Sequence, residues 1–228
     1  MNSNIKVVFI DIDNTLLDFN KCSALSIEKA FIQNGLKFSP QVMQEFFPIN
    51  NALWKKIEIG GYTKEQLHKD RFNILFSKLG INYDGEKVEQ CFLDNLYDTV
   101  ALVDGALDIV KYLSSKYILC TASNAFFEQQ VNRLKISGLY PYVKYMFVSE
   151  ELGAEKPSKA FFDRAFSRLN NVCPKECVMI GDSLTADIKG GSDYGMKTIW
   201  FNFLNQIEPQ SKIFDYKIDK LSQIKSIL

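Results

Sequence analysis

The stretch Ile5-Lys6-Val7-Val8-Phe9-Ile10-Asp11-Ile12-Asp13-Asn14-Thr15-Leu16-Leu17 decides the fold. Its first six residues are an almost unbroken apolar, β-branched run that stops at Asp11, the pattern of a strand buried on both faces of a parallel sheet. Similar short runs recur at 117–122 (YILCTA), 145–148, 177–180 (CVMI) and 198–201. Between them the apolar spacing is helical. Leu107, Val110 and Leu113 follow the N-cap candidate Asp104, and Phe127, Val131 and Leu134 run up to Gly138. Phe161, Phe162, Ala165, Phe166 and Leu169 follow the cap candidate Ser158. Strands alternating with helices predict an α/β protein with a doubly wound parallel sheet.

Residues 18–103 break that rhythm and read as helices only. One spans 21–34 and ends at Gly35, one starts at Ser39-Pro40, and a further segment covers Asn50 to Ile59. Thr63-Lys64-Glu65-Gln66 is a capping box opening a helix that stops at Gly80, and the last begins near Asp84. The expectation is an all-helical domain at 18–103 inserted into an α/β core made of 1–17 and 104–228.

The chain has 228 residues, enough for one large domain or two modest ones at roughly 100–200 residues each. Lysine plus arginine (27) balance aspartate plus glutamate (27), which argues against an electrostatic grip on a nucleic acid polymer or an anionic membrane. Cys22, Cys91, Cys120, Cys173 and Cys177 are odd in number and form no CxxC pair, so free thiols and a reducing compartment are expected. The start of the chain lacks a basic cluster, and the run 7–10 is too short for a leader. No segment approaches the roughly 18 apolar residues of a membrane span. A cytoplasmic protein is expected.

Candidate chemistry gathers where the apolar runs stop. In an open α/β sheet, ligands bind beyond the carboxyl ends of the strands. Asp11 and Asp13 sit there, and two carboxylates two residues apart on extended chain point the same way, a repulsion that a hard cation such as Mg²⁺ relieves. The competing reading of DIDNT is a turn that caps the next helix. Gly181-Asp182-Ser183-Leu184-Thr185-Ala186-Asp187 repeats the arrangement after another buried run, and Asp182 either reaches the same metal or caps a helix. Thr121-Ala122-Ser123-Asn124 brings a hydroxyl and backbone N–H groups to a helix entrance, which is an anion site or only an N-cap. Lys156, ahead of Pro157-Ser158, is either solvated or directed to the same edge.

Taken in order, FIDIDNT (9–15), Ser123-Asn124, Lys156-Pro157 and IGDSLTAD (180–187) resemble the four motifs of the haloacid dehalogenase superfamily, and they span nearly the whole core. The helical insert after the first motif is similar to that family's C1 cap. The resemblance implies a phosphatase in which Asp11 is the nucleophile and forms an aspartyl-phosphate, while Asp13 protonates the leaving oxygen and then activates water. It implies Mg²⁺ surrounded by Asp11, Asp182 and Asp13, whose backbone carbonyl helps hold the metal, with Asp187 behind them. Lys156 has a catalytic role and, with Ser123 and backbone amides near Asn14 and Asn124, cradles the phosphoryl oxygens; Thr15 braces the loop. Ala125 stands where many relatives have glycine.

The insert also resembles the cap of bacterial house-cleaning pyrimidine 5′-nucleotidases, as do SEELGAEKP (149–157) and the region around Gln129-Gln130-Val131. That implies a nucleoside 5′-monophosphate substrate. Trp54, Phe47 or Tyr62 would stack on the base, and Arg71 or Asn50 would bond its edge, against the alternatives that Trp54 packs and Arg71 pairs with an acid. His68 is expected to be exposed and without a role. A phosphoglycolate or sugar-phosphate phosphatase or mutase would share every motif. A 2-haloacid dehalogenase would have no use for Asp13, because halide needs no proton, and a non-catalytic phosphate-binding module would have little use for so large an insert. A small phosphomonoester is the expected partner, for a monomer or homodimer.

Overall fold

The structure is a computed structural model and describes residues 4–228; residues 1–3, part of the leader reading above, lie outside the described residues. Two compact units form: Asn20–Thr99, and the chain up to Phe19 together with Val100–Leu228. The larger unit is built from β1 (Val7–Ile10), then α5 (Ala106–Lys116), β2 (Ile118–Ser123), α6 (Phe127–Ile136), β3 (Tyr145–Val148), α7 (Ser149–Leu152), α8 (Lys159–Phe166), β4 (Cys177–Gly181), α9 (Gly190–Asp193), β5 (Lys197–Phe201), β6 (Tyr216–Ile218) and α10 (Ile224–Ile227). The smaller unit holds α2 (Pro40–Glu58), α3 (Lys64–Leu79) and α4 (Gly85–Asp98), with nearly all of α1 (Phe19–Gln33).

All six strands are parallel, in the order β3-β2-β1-β4-β5-β6. Along β1 the side chains alternate between two hydrophobic layers, as the two-residue period of a strand requires. Val8 and Ile10 join Ile109, Val110 and Leu113 of α5 and Ile224 of α10, while Val7 and Phe9 join Phe161, Phe162 and Ala165 of α8. Phe9 stacks on Phe147 and Phe166 with ring centroids 5.5 Å away in each case. Because both faces are covered, the strand sequences are apolar throughout rather than alternating. The strand order reverses at β1, so the loops after β1 and β4 open the crevice where such sheets take ligands.

Several boundaries differ from the expectation. The cap of α5 is Gly105, at φ 77°, and not Asp104: a left-handed residue turns the chain into the helix without a side-chain bond. β2 starts at Ile118 and runs to Ser123, β5 starts at Lys197, and β6 has no counterpart in the expected strands. Three residues with only Ile218 buried are too few to show a period.

In the helical unit, the capping box forms as expected, with Gln66 N donating to Thr63 Oγ1 at 3.1 Å and Thr63 N to Gln66 Oε1 at 2.9 Å. Gly80 closes α3 at φ 66°. The expected break between the Ser39-Pro40 start and the Asn50–Ile59 segment is absent, because α2 runs through Pro48. Proline removes one helical donor, but Pro48 and Gln44, whose carbonyl loses that partner, both face solvent. The buried stripe Val42, Phe46, Ile49, Leu53, Ile57 meanwhile continues in helical register. Phe46 packs against Phe72 at 5.7 Å and Phe92 at 5.8 Å.

His68 is half-buried rather than exposed, with Nδ1 2.7 Å from Glu89 Oε1. Arg71 is buried and committed: Nε and NH2 donate to Glu89, NH1 donates to Asn50 Oδ1 at 2.8 Å, and the guanidinium lies 4.9 Å from the Phe92 ring centroid. A buried cation needs such company, since the interior penalises an unpaired charge. Among the described residues no helix is long and apolar enough to cross a membrane.

Candidate active site

The loop after β1 is shaped by its own backbone. Asp11 N donates to Ile180 O at 2.9 Å, Leu16 and Leu17 both donate to Ile12 O at 2.8 Å, and Asn14 adopts φ 59°, a left-handed conformation Asn tolerates. Asn14 Oδ1 then accepts from Phe19 N at 3.1 Å and so caps α1. Thr15, expected to brace this loop, is fully buried with its Oγ1 lacking a hydrogen-bond partner; the hydrogen bonds of the turn come from the backbone and Asn14.

Asp11 ends up buried at the carboxyl edge of the sheet, with one oxygen 2.8 Å from Lys156 Nζ. Lys156 is itself buried, reaching Asp187 Oδ1 at 2.6 Å and the Ala122 carbonyl at 2.6 Å. The solvated alternative for this lysine is thereby excluded. Its loop is fastened to the end of β2 by Asn124, whose side-chain amide donates to Lys156 O at 2.9 Å and accepts from Lys156 N at 2.8 Å. Ala125 keeps a negative φ, so the β2 loop needs no glycine there.

Asp11, Asp182 and Asp187 each offer a carboxylate oxygen, and these lie within 4.8 Å of one another. Asp182 does not cap the following helix; Ser183 does, through its Oγ to Ala186 N at 3.0 Å. The Asp182 backbone is held by Trp200 Nε1 at 3.0 Å. Asp187 approaches so closely that a Cβ at Gly181 would collide with its carboxyl group, and Ser183 N donates to it at 3.1 Å. Asp187 therefore lies within 4.8 Å of the other two acids, with its own oxygens accepting from Lys156 and Ser183. The Asp13 carboxylate, which its two-residue spacing from Asp11 directed at the same cation, is not part of this carboxylate cluster; the carbonyl contact that the family resemblance implies for Asp13 is a separate matter.

Burial raises the Asp11 carboxyl to about 7, opposed by the Lys156 charge and reinforced by Asp187. Burial also opposes charge on Lys156, but Asp11 and Asp187 beside it hold its pKa above the usual lysine value. One ammonium facing three carboxylates leaves surplus negative charge with oxygen-only donors. That set fits a hard divalent cation of the Mg²⁺ type.

Asp13 faces α6. Its Oδ1 accepts from Arg133 NH1 at 2.8 Å and its Oδ2 from Gln130 Nε2 at 2.7 Å. Gln130 Nε2 also donates to Ser123 Oγ at 3.0 Å, which leaves the Ser123 hydroxyl proton available to a phosphoryl oxygen. Arg133 was missed in the sequence. Its signal was a Gln and an Arg three apart on a helix, in line with the buried Val131 and Leu134.

An acid pair after β1, a lysine and two more acids on the same carboxyl edge of a doubly wound sheet define a hydrolase of one superfamily. Residues 5–195 match the haloacid dehalogenase-like hydrolase family, to which this chain belongs. It is 34% identical over 223 residues to the HAD-hydrolase YfnB of Bacillus subtilis, covering 98% of this chain and 95% of that protein. The solved structure of YfnB bound to magnesium superposes with a TM-score of 0.94 at 33% identity, covering 99% of each chain. Pyrimidine 5′-nucleotidase PynA of Streptococcus pneumoniae is 33% identical over 93% of this chain and 92% of its own. Pyrimidine 5′-nucleotidase YjjG of Escherichia coli is 26% identical over 97% and 96%.

Proposed function

We propose that this chain is a Mg²⁺-dependent phosphatase of nucleoside 5′-monophosphates with pyrimidine bases, working through a phosphorylated Asp11. The observation that carries the reading is the division of labour among the acids. Asp11, Asp182 and Asp187 converge, while Asp13, two residues from Asp11, is kept out of the cluster by donors of its own. A dehalogenase has no use for that second acid. The names of PynA and YjjG support the substrate class.

Asp11 attacks phosphorus, and Asp13 gives a proton to the departing nucleoside oxygen. Asp13, now a carboxylate, takes a proton from the water that attacks phosphorus on the phosphorylated Asp11; the Asp11 O–P bond breaks, phosphate leaves, Asp11 returns to a carboxylate and Asp13 to the acid form. Lys156 orients Asp11 and, with Ser123 and the amides near Asn14 and Asn124, offsets charge on the phosphoryl oxygens. Mg²⁺ held by Asp11, Asp182 and Asp187 would supply charge neutralisation of nucleophile and phosphate alike. In the helical unit Arg71 and Asn50 are engaged with each other, so the half-buried Trp54 is the candidate for stacking on the base. The test is hydrolysis of UMP, dUMP, dTMP, phosphoglycolate and sugar phosphates with Mg²⁺ or excess EDTA. Preference for the pyrimidine nucleotides, abolished by EDTA, is expected. Preference for phosphoglycolate or a sugar phosphate replaces the nucleotide assignment, and full activity in EDTA overturns the metal.

A further inference from the structure

We propose that Arg133 and Gln130 of α6 are positioning residues that fix the Asp13 carboxylate for proton transfer, an inference that rests on Asp13 being the acid and base. On α6 the buried face carries Val131 and Leu134, yet Gln130 and Arg133 interrupt it and are themselves fully buried. Burying a guanidinium is unfavourable unless it is paired, and its carboxylate partner here is Asp13, which is 27% exposed. The pairing thus joins a fully buried cation to an acid that still meets solvent, where a proton donor and acceptor must be.

The geometry is that of a two-point clamp. One donor goes to each carboxylate oxygen, Arg133 NH1 at 2.8 Å and Gln130 Nε2 at 2.7 Å, which fixes both the direction and the plane of the group. The two clamping side chains are locked together, since Arg133 NH1 also donates to Gln130 Oε1 at 3.1 Å. Gln130 extends the tie to Ser123 on β2 at 3.0 Å, so the acid and the hydroxyl expected to touch phosphate share one anchor. Freed from the clamp, Asp13 would rotate about its side-chain bonds, and misplacement of a reacting group by about 1 Å costs about 10²-fold in rate.

The test compares the first chemical step for a poor and a good leaving group. Single-turnover phosphorylation by UMP, whose alkoxide needs a proton, and by p-nitrophenyl phosphate, whose phenolate does not, is measured for wild type, Arg133→Met, Arg133→Lys and Gln130→Met. The UMP rate of Arg133→Met is expected to fall about 10²-fold, at least ten times more than its aryl rate, with KM for both changing less than about threefold. Arg133→Lys, which keeps a cation at the site, should recover part of the UMP rate. If Arg133→Met does not fold, Gln130→Met removes one neutral donor and carries the same comparison. Equal losses on both substrates, or no loss on either, overturn the clamp. Wild-type protein that turns over an alkyl phosphate other than UMP refutes only the nucleotide assignment, and the clamp is then measured with that substrate. Wild-type protein inactive on every phosphomonoester overturns the phosphatase reading and the clamp with it.

Discussion

Each unit of this chain buries a charged cluster, and the two are balanced differently. In the helical unit Arg71 meets one carboxylate, Glu89, with Asn50, His68 and the Phe46 and Phe92 rings completing its surroundings. In the α/β unit Lys156 meets Asp11 and Asp187 while Asp182 stands within 4.8 Å of both. The first cluster closes on itself and binds three helices together. The second keeps a surplus of like charge, which stability alone would not select, because repulsion and burial both work against it. Surplus charge at the carboxyl edge of a sheet marks a place for a cation and a reaction, whereas charge neutrality inside a helical bundle marks packing.

The sharpest way to break this contrast is to remove one member of the surplus. Asp11→Asn should lower phosphatase activity by at least about 10⁴-fold, since both the nucleophile and a metal ligand are lost. The metal-free melting temperature should stay level or rise, because one of the crowded carboxylates has gone. The Mg²⁺-induced rise in melting temperature should shrink toward zero. A variant that melts far below wild type without metal would show that the α/β cluster, too, is structural.

The matching change in the helical unit should do the opposite. Arg71→Met leaves Glu89 buried without its guanidinium and should destabilise the protein by about 3–5 kcal/mol, read by urea or thermal unfolding. The double variant Arg71→Leu/Glu89→Leu should regain much of that loss, since apolar side chains of similar bulk need no partners. Turnover of p-nitrophenyl phosphate by the folded fraction should be unchanged. If Arg71→Met melts like wild type but no longer discriminates pyrimidine nucleotides, the cluster reads substrate after all.

The contrast also separates what could be read in the sequence from what could not. The site was legible because its residues sit at fixed offsets from buried runs: Asp11 one step after Ile10, Asp182 two steps after Ile180, and Lys156 beside Pro157. Sequence distance gives little hint, by contrast, that Asp13 meets Arg133 across 120 positions, or that Arg71 meets Glu89 across 18. Both ties are made by polar residues on the buried faces of helices, which an apolar stripe hides. Pro48 misled in the other direction. As a local signal it argues for a break, but the apolar stripe of α2 and the exposure of Gln44 and Pro48 to solvent decide the matter.

A smaller effect tests whether recognition resides in the helical unit while chemistry does not. Trp54→Ala should reduce kcat/KM for UMP by an amount equivalent to about 1–3 kcal/mol, the range for stacking on one base, with little change for p-nitrophenyl phosphate. A parallel fall for both substrates with a lowered melting temperature would make Trp54 a packing residue. The helical unit would then contribute only stability in these measurements.

The weakest charge in the comparison lies at the other end of the sheet. Glu176 precedes β4, pairs with Lys6 ahead of β1, and accepts from Cys173 N at 3.0 Å. That backbone N–H, followed by the Lys6 ammonium, holds its carboxyl down at about 2, below the ordinary glutamate value of 4.5. A depressed carboxyl stabilises the fold at every pH above the ordinary value and loses that contribution as pH falls toward 2. Glu176→Gln should therefore melt slightly below wild type at pH 6, with the gap closing between pH 4.5 and 2 and narrowing in high salt, as expected of a pair whose lysine is exposed. Phosphatase activity should not change, because these residues stand at the amino ends of strands whose carboxyl ends carry the acids. A gap that widens on acidification would mean that Glu176 is held by contacts other than these, and a loss of activity would mean that charge at the two ends of the sheet is coupled.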